Sequence, residues 1–174
     1  MAKTIAFALP ENAILCDEAI SYSHALSVST PGSLPHDLLQ LTGGAIGIGP
    51  SLAVGAAIAC PDRPVLSVQA DGSALYTVQA LWTQARESLN IVTVILANRK
   101  YASLYGELTN LGRPLPGPNA KAMLDIDTPA IDWVSIARGF GMGGQHVGTS
   151  SELASAIRKG FAESGPYLIE ARVV

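Results

Sequence analysis

Two apolar runs, each closed by a polar stop, constrain this chain more than any other feature. "VLSVQA" (65–70) reads as a strand and gives way to Asp71-Gly72-Ser73. "IVTVILAN" (91–98) reads as a second strand, rich in β-branched residues, and runs into Arg99-Lys100-Tyr101. Between them, in "ALYTVQALWTQARESL" (74–89), Leu75, Val78, Leu81, Trp82 and Ala85 recur at helical spacing, with Ser73 placed to cap the helix. A strand, a covering helix and a return strand make a parallel pair. Ligands in open parallel sheets sit outside the carboxyl ends of the strands. Asp71 and Asn98, 27 positions apart (98 − 71), can therefore reach one point above neighbouring strands.

The rest of the chain continues the alternation. "AILCDEA" (13–19) reads as a buried strand ending in acids, and "GPSLAVGAAIAC" (49–60) as a small-residue helix with Pro50 near its first turn. "PDRP" (61–64) is a turn and "RPLPGPNA" (113–120) a loop. "DWVSIARGF" (132–140) is a short helix ending at Gly139 or Gly141. "SSELASAIRKGFAES" (150–164) is a helix with a Ser-x-Glu start, and "PYLIEARVV" (166–174) a last strand. Strands separated by helices imply an α/β fold: a three-layer α/β/α arrangement around a mostly parallel sheet.

The 174 residues suit one domain, with no repeat or low-complexity tract. Hydrophobic residues make up 48% and charged residues only 14%, which points to a surface partly covered by another chain, most simply in a dimer. The apolar stretch around 43–60 is too rich in Gly, and too broken by Pro50, for a membrane span. The N-terminus has one Lys, a short apolar patch and an early Pro, and lacks a signal-peptide layout. Cys16 and Cys60 make neither a disulfide framework nor a metal set and read as two buried small residues in a reducing cytoplasm. A net charge of −3 gives no electrostatic case for nucleic acid.

"GGAIGIGPSLAVGAA" (43–57) looks like a dinucleotide fingerprint, and Asp71 follows at a suitable distance. The match fails in detail. Leu52 occupies the third glycine position, Pro50 follows Gly49 directly, and the preceding "SLPHDLLQLT" does not read as an apolar strand. Two readings of the glycines stay open: a tight turn with close helix packing, or a bare backbone approached by a flat or anionic ligand.

A carboxylate and an amide oxygen are hard ligands that suit Mg²⁺ or Ca²⁺ rather than zinc. Two side chains leave coordination positions for waters and phosphate oxygens. Gly72 removes a Cβ where a phosphate would approach, and the Ser73 N–H at a helix start favours an anion. Asp71 and Asn98 thus read as a metal–diphosphate clamp. The plainer alternative is a helix cap and a turn residue.

The segments "LTGGAIGIGPSLAVGAAIACPDRPVLSVQADGSA" and "IVTVILANRKYASL" resemble the C-terminal thiamine-diphosphate-binding domain of the acetolactate synthase and benzoylformate decarboxylase family, whose motif is Gly-Asp-Gly, an interval of this length, then Asn. The resemblance covers roughly residues 5–174. It implies thiamine diphosphate and Mg²⁺ as cofactors, with Asp71 and Asn98 as side-chain ligands and Lys100 supplying a backbone carbonyl to the metal. It places Gly72 and Ser73 on the diphosphate, and Gly44 and Ala45 against the aminopyrimidine. Ile46 becomes the apolar prop beneath the cofactor, Ser21 a further diphosphate contact, and Tyr101, Ala102, Ser103 and Leu104 the helix start beside the diphosphate.

Ala70 replaces the first motif glycine. Arg99 and Lys100 are larger than the family's usual residues there and either aid the diphosphate or face water, with water preferred. Family members use an N-terminal pyrimidine-binding domain to supply a Glu to the cofactor, and residues 1–174 read as the diphosphate-binding domain alone, without pyrimidine-binding and middle domains. Glu18 follows a strand at the wrong end of the cofactor to replace that Glu, and no catalytic residue is assigned. His24, His36 and His146 show no partner pattern and read as surface or packing residues, His36 being the best of three poor catalytic candidates.

Three readings follow. The chain is the diphosphate-binding half of a 2-oxo-acid decarboxylase or acetolactate-synthase-like carboligase that needs a pyrimidine-domain partner. Alternatively it is a stand-alone or truncated cofactor-binding module without activity. Third, it is an unrelated α/β binding protein in which the motif is coincidental.

Overall fold

The computed structural model describes residues 1–173. Strands β1 (Ala13–Glu18), β2 (His36–Gln40), β3 (Val65–Ala70), β4 (Ile91–Ala97), β5 (Gly143–Val147) and β6 (Tyr167–Arg172) form one sheet in the order β2-β1-β3-β4-β6-β5. Every pairing is parallel. The inner strands β1 and β4 are buried along their whole length, as strands covered on both faces must be.

Helices α1 (Ala2–Ala8), α2 (Ser23–Ser27) and α9 (Ser150–Ala162) cover one face, where Ile5, Leu26, Leu153 and Ile157 meet Leu15, Leu66, Val92 and Val94. On the opposite face, α3 (Gly49–Ala59) packs Ala53, Ala56 and Ala57 onto Ile14, Cys16, Val65 and Ile91. Beside it, α5 (Ala80–Arg86) and α8 (Trp133–Gly139) bring Leu81, Trp133 and Val134 onto Ile95 and Leu168. The small side chains of α3 let it lie close on the sheet. Three layers result, as the alternation of elements predicts.

Several local expectations need correction. The predicted helix 74–89 is broken into α4 (Asp71–Ala74), a 3₁₀ turn (Leu75–Thr77) and α5. Thr77 donates its hydroxyl to the Gly47 carbonyl (2.5 Å), which ties this stretch to the glycine loop and interrupts the regular ladder. Ser73 does not cap: it lies inside α4, and its hydroxyl donates to the Ala70 carbonyl. Leu75 and Trp82, expected on a buried stripe, are exposed. "SLPHDLLQLT" does contain a strand, β2, at the sheet edge, where one-sided pairing tolerates its polar composition. The expected loop 113–120 overlaps α7 (Pro118–Leu124), which starts with Pro in its first turn. Helix α9 is capped by Thr149 and Glu152, one residue ahead of the expected Ser start. Cys16 and Cys60 are free thiols, Cys16 buried and Cys60 only half-buried.

Candidate functional site

The strand order reverses between β1 and β3, because β2 lies outside β1 while β3 and β4 run the other way. A crevice outside the carboxyl ends at such a reversal is the expected ligand position. A cleft of about 60 Å³ opens there, lined by Ile20 and Ser21 after β1, Ala70 to Ser73 after β3, and Asn98 with Lys100 to Ser103 after β4; Ile46 closes one side.

Asp71 is 2% exposed. Its Oδ1 accepts from the Gly72 N–H (3.0 Å) and its Oδ2 from the Arg99 N–H (2.6 Å). Burial pushes its carboxyl pKa up; the backbone donors of Arg99 and Gly72 pull it back, and the charge of Glu170 adds a smaller upward push. Among the described residues no cationic side chain pairs with this carboxylate. Asn98 turns back on itself, its Oδ1 accepting from the Lys100 N–H (3.0 Å). The Lys100 carbonyl accepts from Ala102 N–H (2.9 Å). Each of these oxygens keeps a free lone pair.

Gly72 is buried, and its missing Cβ makes room for a neighbouring ring. A Cβ built on it would lie 2.5 Å from a Tyr101 ring carbon, so the aromatic ring occupies the space above this glycine. α4 has only four residues, so the local N–H groups, rather than a long helix dipole, would attract an anion. Gly44, Ala45 and Leu104 do not line the cleft. Gly44 and Ala45 sit in the exposed turn 42–46, where Gly43 and Gly44 have positive φ (62° and 68°). Leu104 points outward from α6 (Ala102–Asn110), 49% exposed.

Three contributions lie outside the expectations from sequence: an anchoring role for Glu18, and the places of Tyr22 and Ile20 at the cleft. Glu18, buried at the end of β1, accepts from the Gly47 and Gly49 N–H groups and so holds the glycine loop against the sheet. A Cβ at Gly49 would overlap both Glu18 and Gln69, which favours the close-packing reading of that glycine. The Tyr22 hydroxyl pKa is raised by burial and by the Asp71 charge, and drawn back by a hydrogen bond with the Asn98 side chain; Tyr22 thus adjoins both polar stops. Ile20 lines the cleft with φ 51°, a strained conformation for a β-branched residue. The acid at the end of "AILCDE" was the one available signal for Glu18. Nothing local announces Tyr22 or the turn at Ile20.

Arg99, expected to face water, instead lines a second, larger cavity of about 710 Å³ above β4, β6 and β5, with its Nε buried and without a hydrogen-bond partner. His146 is exposed, as expected of a surface histidine, but it stands between Asp132 and Glu170, partners that no local pattern announced.

The fold and cleft define a doubly wound α/β domain that receives its ligand across strand ends, with hard oxygen donors and a glycine packed under Tyr101 in its wall. The chain belongs to the thiamine pyrophosphate enzymes, as their C-terminal TPP-binding domain, whose pattern matches residues 22–171. It is 49% identical over 170 residues to a Mycobacterium tuberculosis protein named "Putative acetolactate synthase large subunit IlvX", covering 97% of this chain and 33% of that one. It is 34% identical over 161 residues to benzoylformate decarboxylase of Pseudomonas aeruginosa, covering 92% of this chain and 29% of that enzyme. The solved thiamine-diphosphate-dependent 4-hydroxybenzoylformate decarboxylase of Rhodococcus jostii superposes with TM-score 0.86 at 33% identity, covering 99% of this chain and 32% of that one. The chain spans about a third of the length of the relatives it matches. Among the described residues, no helix is long and apolar enough to cross a membrane.

Proposed function

We propose that this chain supplies the diphosphate- and metal-binding half of a thiamine-diphosphate-dependent enzyme acting on a 2-oxo acid, either a decarboxylase or an acetolactate-synthase-type carboligase. The carrying observation is a buried carboxylate, Asp71, opening into the same strand-end cleft as the Asn98 amide, with no cationic side chain among the described residues to balance it. A divalent cation offsets the desolvation that raises the Asp71 pKa. Mg²⁺ suits one carboxylate, one amide oxygen and one backbone carbonyl (Asp71, Asn98 and Lys100) and takes phosphate oxygens and water for the rest.

In this reading, Gly72 and Ser73 offer backbone to the diphosphate, and Ser21, Ala102 and Ser103 border it. Tyr101, the residue ahead of α6, sets its ring over Gly72 and would border the diphosphate. Ile46 supports the cofactor from below, and Gly44 and Ala45 meet its ring from the exposed turn. Leu104 contributes through the start of α6 rather than through its side chain. Glu18 fixes the loop that carries these residues. Thiamine diphosphate, when bound, supplies the electron sink for cleaving or joining the bond beside the oxo group.

The complete site needs a pyrimidine-binding domain, carried by another chain or another segment. Ile58, Tyr76 and Trp82 are exposed and apolar (59%, 59% and 46%), which supports a protein partner, in a homodimer or a mixed pair. The free thiols suit a reducing cytoplasm. A second reading is a cofactor-binding module of one domain (1–174) without turnover of its own.

Calorimetric titration with thiamine diphosphate and Mg²⁺, with and without a pyrimidine-domain chain, tests the proposal alongside 2-oxo-acid consumption. Mg²⁺-dependent binding is expected, with consumption only when the partner is present. Binding without consumption in either case supports the module reading. No binding in any combination contradicts both.

A further inference from the structure

The sheet reverses its strand order a second time, since β6 inserts between β4 and β5. The 710 Å³ cavity lies above this second reversal, and three side chains from three elements converge in it. Glu170 comes from β6, His146 from edge strand β5, and Asp132 stands immediately before α8. One ligand atom from each can be chosen so that all three lie within 4.8 Å of one another.

We propose that Asp132, His146 and Glu170 form a binding site for a divalent transition-metal ion of the zinc class, distinct from the Asp71–Asn98 cleft. One imidazole and two carboxylates are the donor set such an ion accepts, and one that Mg²⁺ rarely uses. His146 Nδ1 lies 3.4 Å from Glu170 Oε2, and Nε2 lies 3.7 Å from Asp132 Oδ1. Both exceed the ordinary hydrogen-bond range of about 2.7–3.2 Å, so neither carboxylate is committed to the ring. An ion binds one ring nitrogen, and two donors on one zinc ion at about 2.0–2.1 Å stand about 3.0–3.5 Å apart. The three groups, within 4.8 Å of one another, therefore form an open site that closes on the ion by a turn of the His146 ring.

The part that must move is the His146 ring, whose side chain is 59% exposed and makes no hydrogen bond within the described residues. Asp132 is held as the N-cap of α8, and Glu170, 6% exposed, is fixed by the Trp133 N–H (3.0 Å). The two acids are therefore the anchors onto which the ring closes. Asp132 already accepts from the Ser135 N–H and hydroxyl, but a carboxylate offers about four lone-pair positions, so capacity remains on both acids. Arg99 and Arg172 line the same cavity, and their charges oppose a loosely held cation, so an ion stays only if directly ligated.

The test uses the chain without thiamine diphosphate or Mg²⁺, titrated with Zn²⁺ and read by calorimetry and by the ring signals of its three histidines in NMR. Saturable binding is expected, with the His146 ring signals shifting and those of His24 and His36 unchanged. His146→Gln, at an exposed position, should weaken the event at least tenfold. Asp71→Ala should leave the His146 shift intact, so failure here and failure of the cofactor cleft are separable. Zinc that shifts His24 or His36 instead, that still binds His146→Gln with parental affinity, or that does not bind by millimolar concentration overturns the site.

Discussion

The cleft above β1, β3 and β4 and the cavity above β4, β6 and β5 share one edge of the sheet but are built from different material. The first rests on buried polar groups: Asp71 and Glu18 are 2% and 1% exposed, and each accepts two backbone N–H groups. The second is walled largely by exposed groups (Asp132, His146 and Glu152), with Glu170 its one deeply buried acid. Buried carboxylates that satisfy backbone donors couple site geometry to folding, whereas exposed ones can change partner at little cost. Damage to the first region should therefore cost stability as well as binding. Damage to the second should cost mainly ligand affinity.

The largest expected effect tests this contrast directly. Glu18→Ala strands the Gly47 and Gly49 donors, and should lower unfolding free energy by about 3 kcal/mol in urea denaturation. A cost near zero would remove Glu18 as the anchor of the glycine loop. Thr149→Ala, at the rim of the second cavity, removes the α9 cap and should cost about 1 kcal/mol. A Thr149→Ala cost equal to that of Glu18→Ala would break the comparison.

The capping box also sets a pH dependence. The Gly148 and Thr149 N–H groups, and the Thr149 side chain, hold the Glu152 carboxyl below its usual pKa. A depressed folded-state pKa means that this contribution is complete above the usual glutamate range and is lost as pH falls through the folded value. The gap between Glu152→Gln and the parent should therefore narrow on acidification, and a gap that widens would contradict the assignment.

Gly72→Ala should cost about 1 kcal/mol, because its Cβ would meet the Tyr101 ring at 2.5 Å and force that ring to shift, and should weaken cofactor binding on the order of tenfold by calorimetry. The smallest effect concerns the thiols. Burial pushes the Cys16 pKa up to about 12, so at pH 8 one thiol, Cys60, should react with a disulfide reagent and Cys16 only after unfolding.

The same contrast explains what was legible in the sequence. β1, β3, β4 and β6 are apolar runs because the sheet is covered on both faces, and each was readable within a residue or two. Asp71 and Asn98 were readable because a polar stop at the end of such a run stands out. β2 and β5 are edge strands with residues such as His36, Asp37, Gly143 and Gln145, whose patterns carry little apolar signal. With β5 unread, His146 had no visible partner, and the second cavity could not be assembled. The break after α4 was hidden because Leu75, Val78 and Trp82 keep helical spacing although the chain is pulled toward Gly47. Tyr22 and Ile20 reach the cleft through a turn whose geometry no local pattern encodes.

The most direct measurement is the affinity of thiamine diphosphate for the parent and for Asp71→Ala across a range of Mg²⁺ concentrations. The Asp71–Asn98 clamp predicts binding to the parent that strengthens with Mg²⁺, and an Asp71→Ala curve that is weak and insensitive to the ion. Equal affinity and equal Mg²⁺ dependence in the two proteins would contradict it.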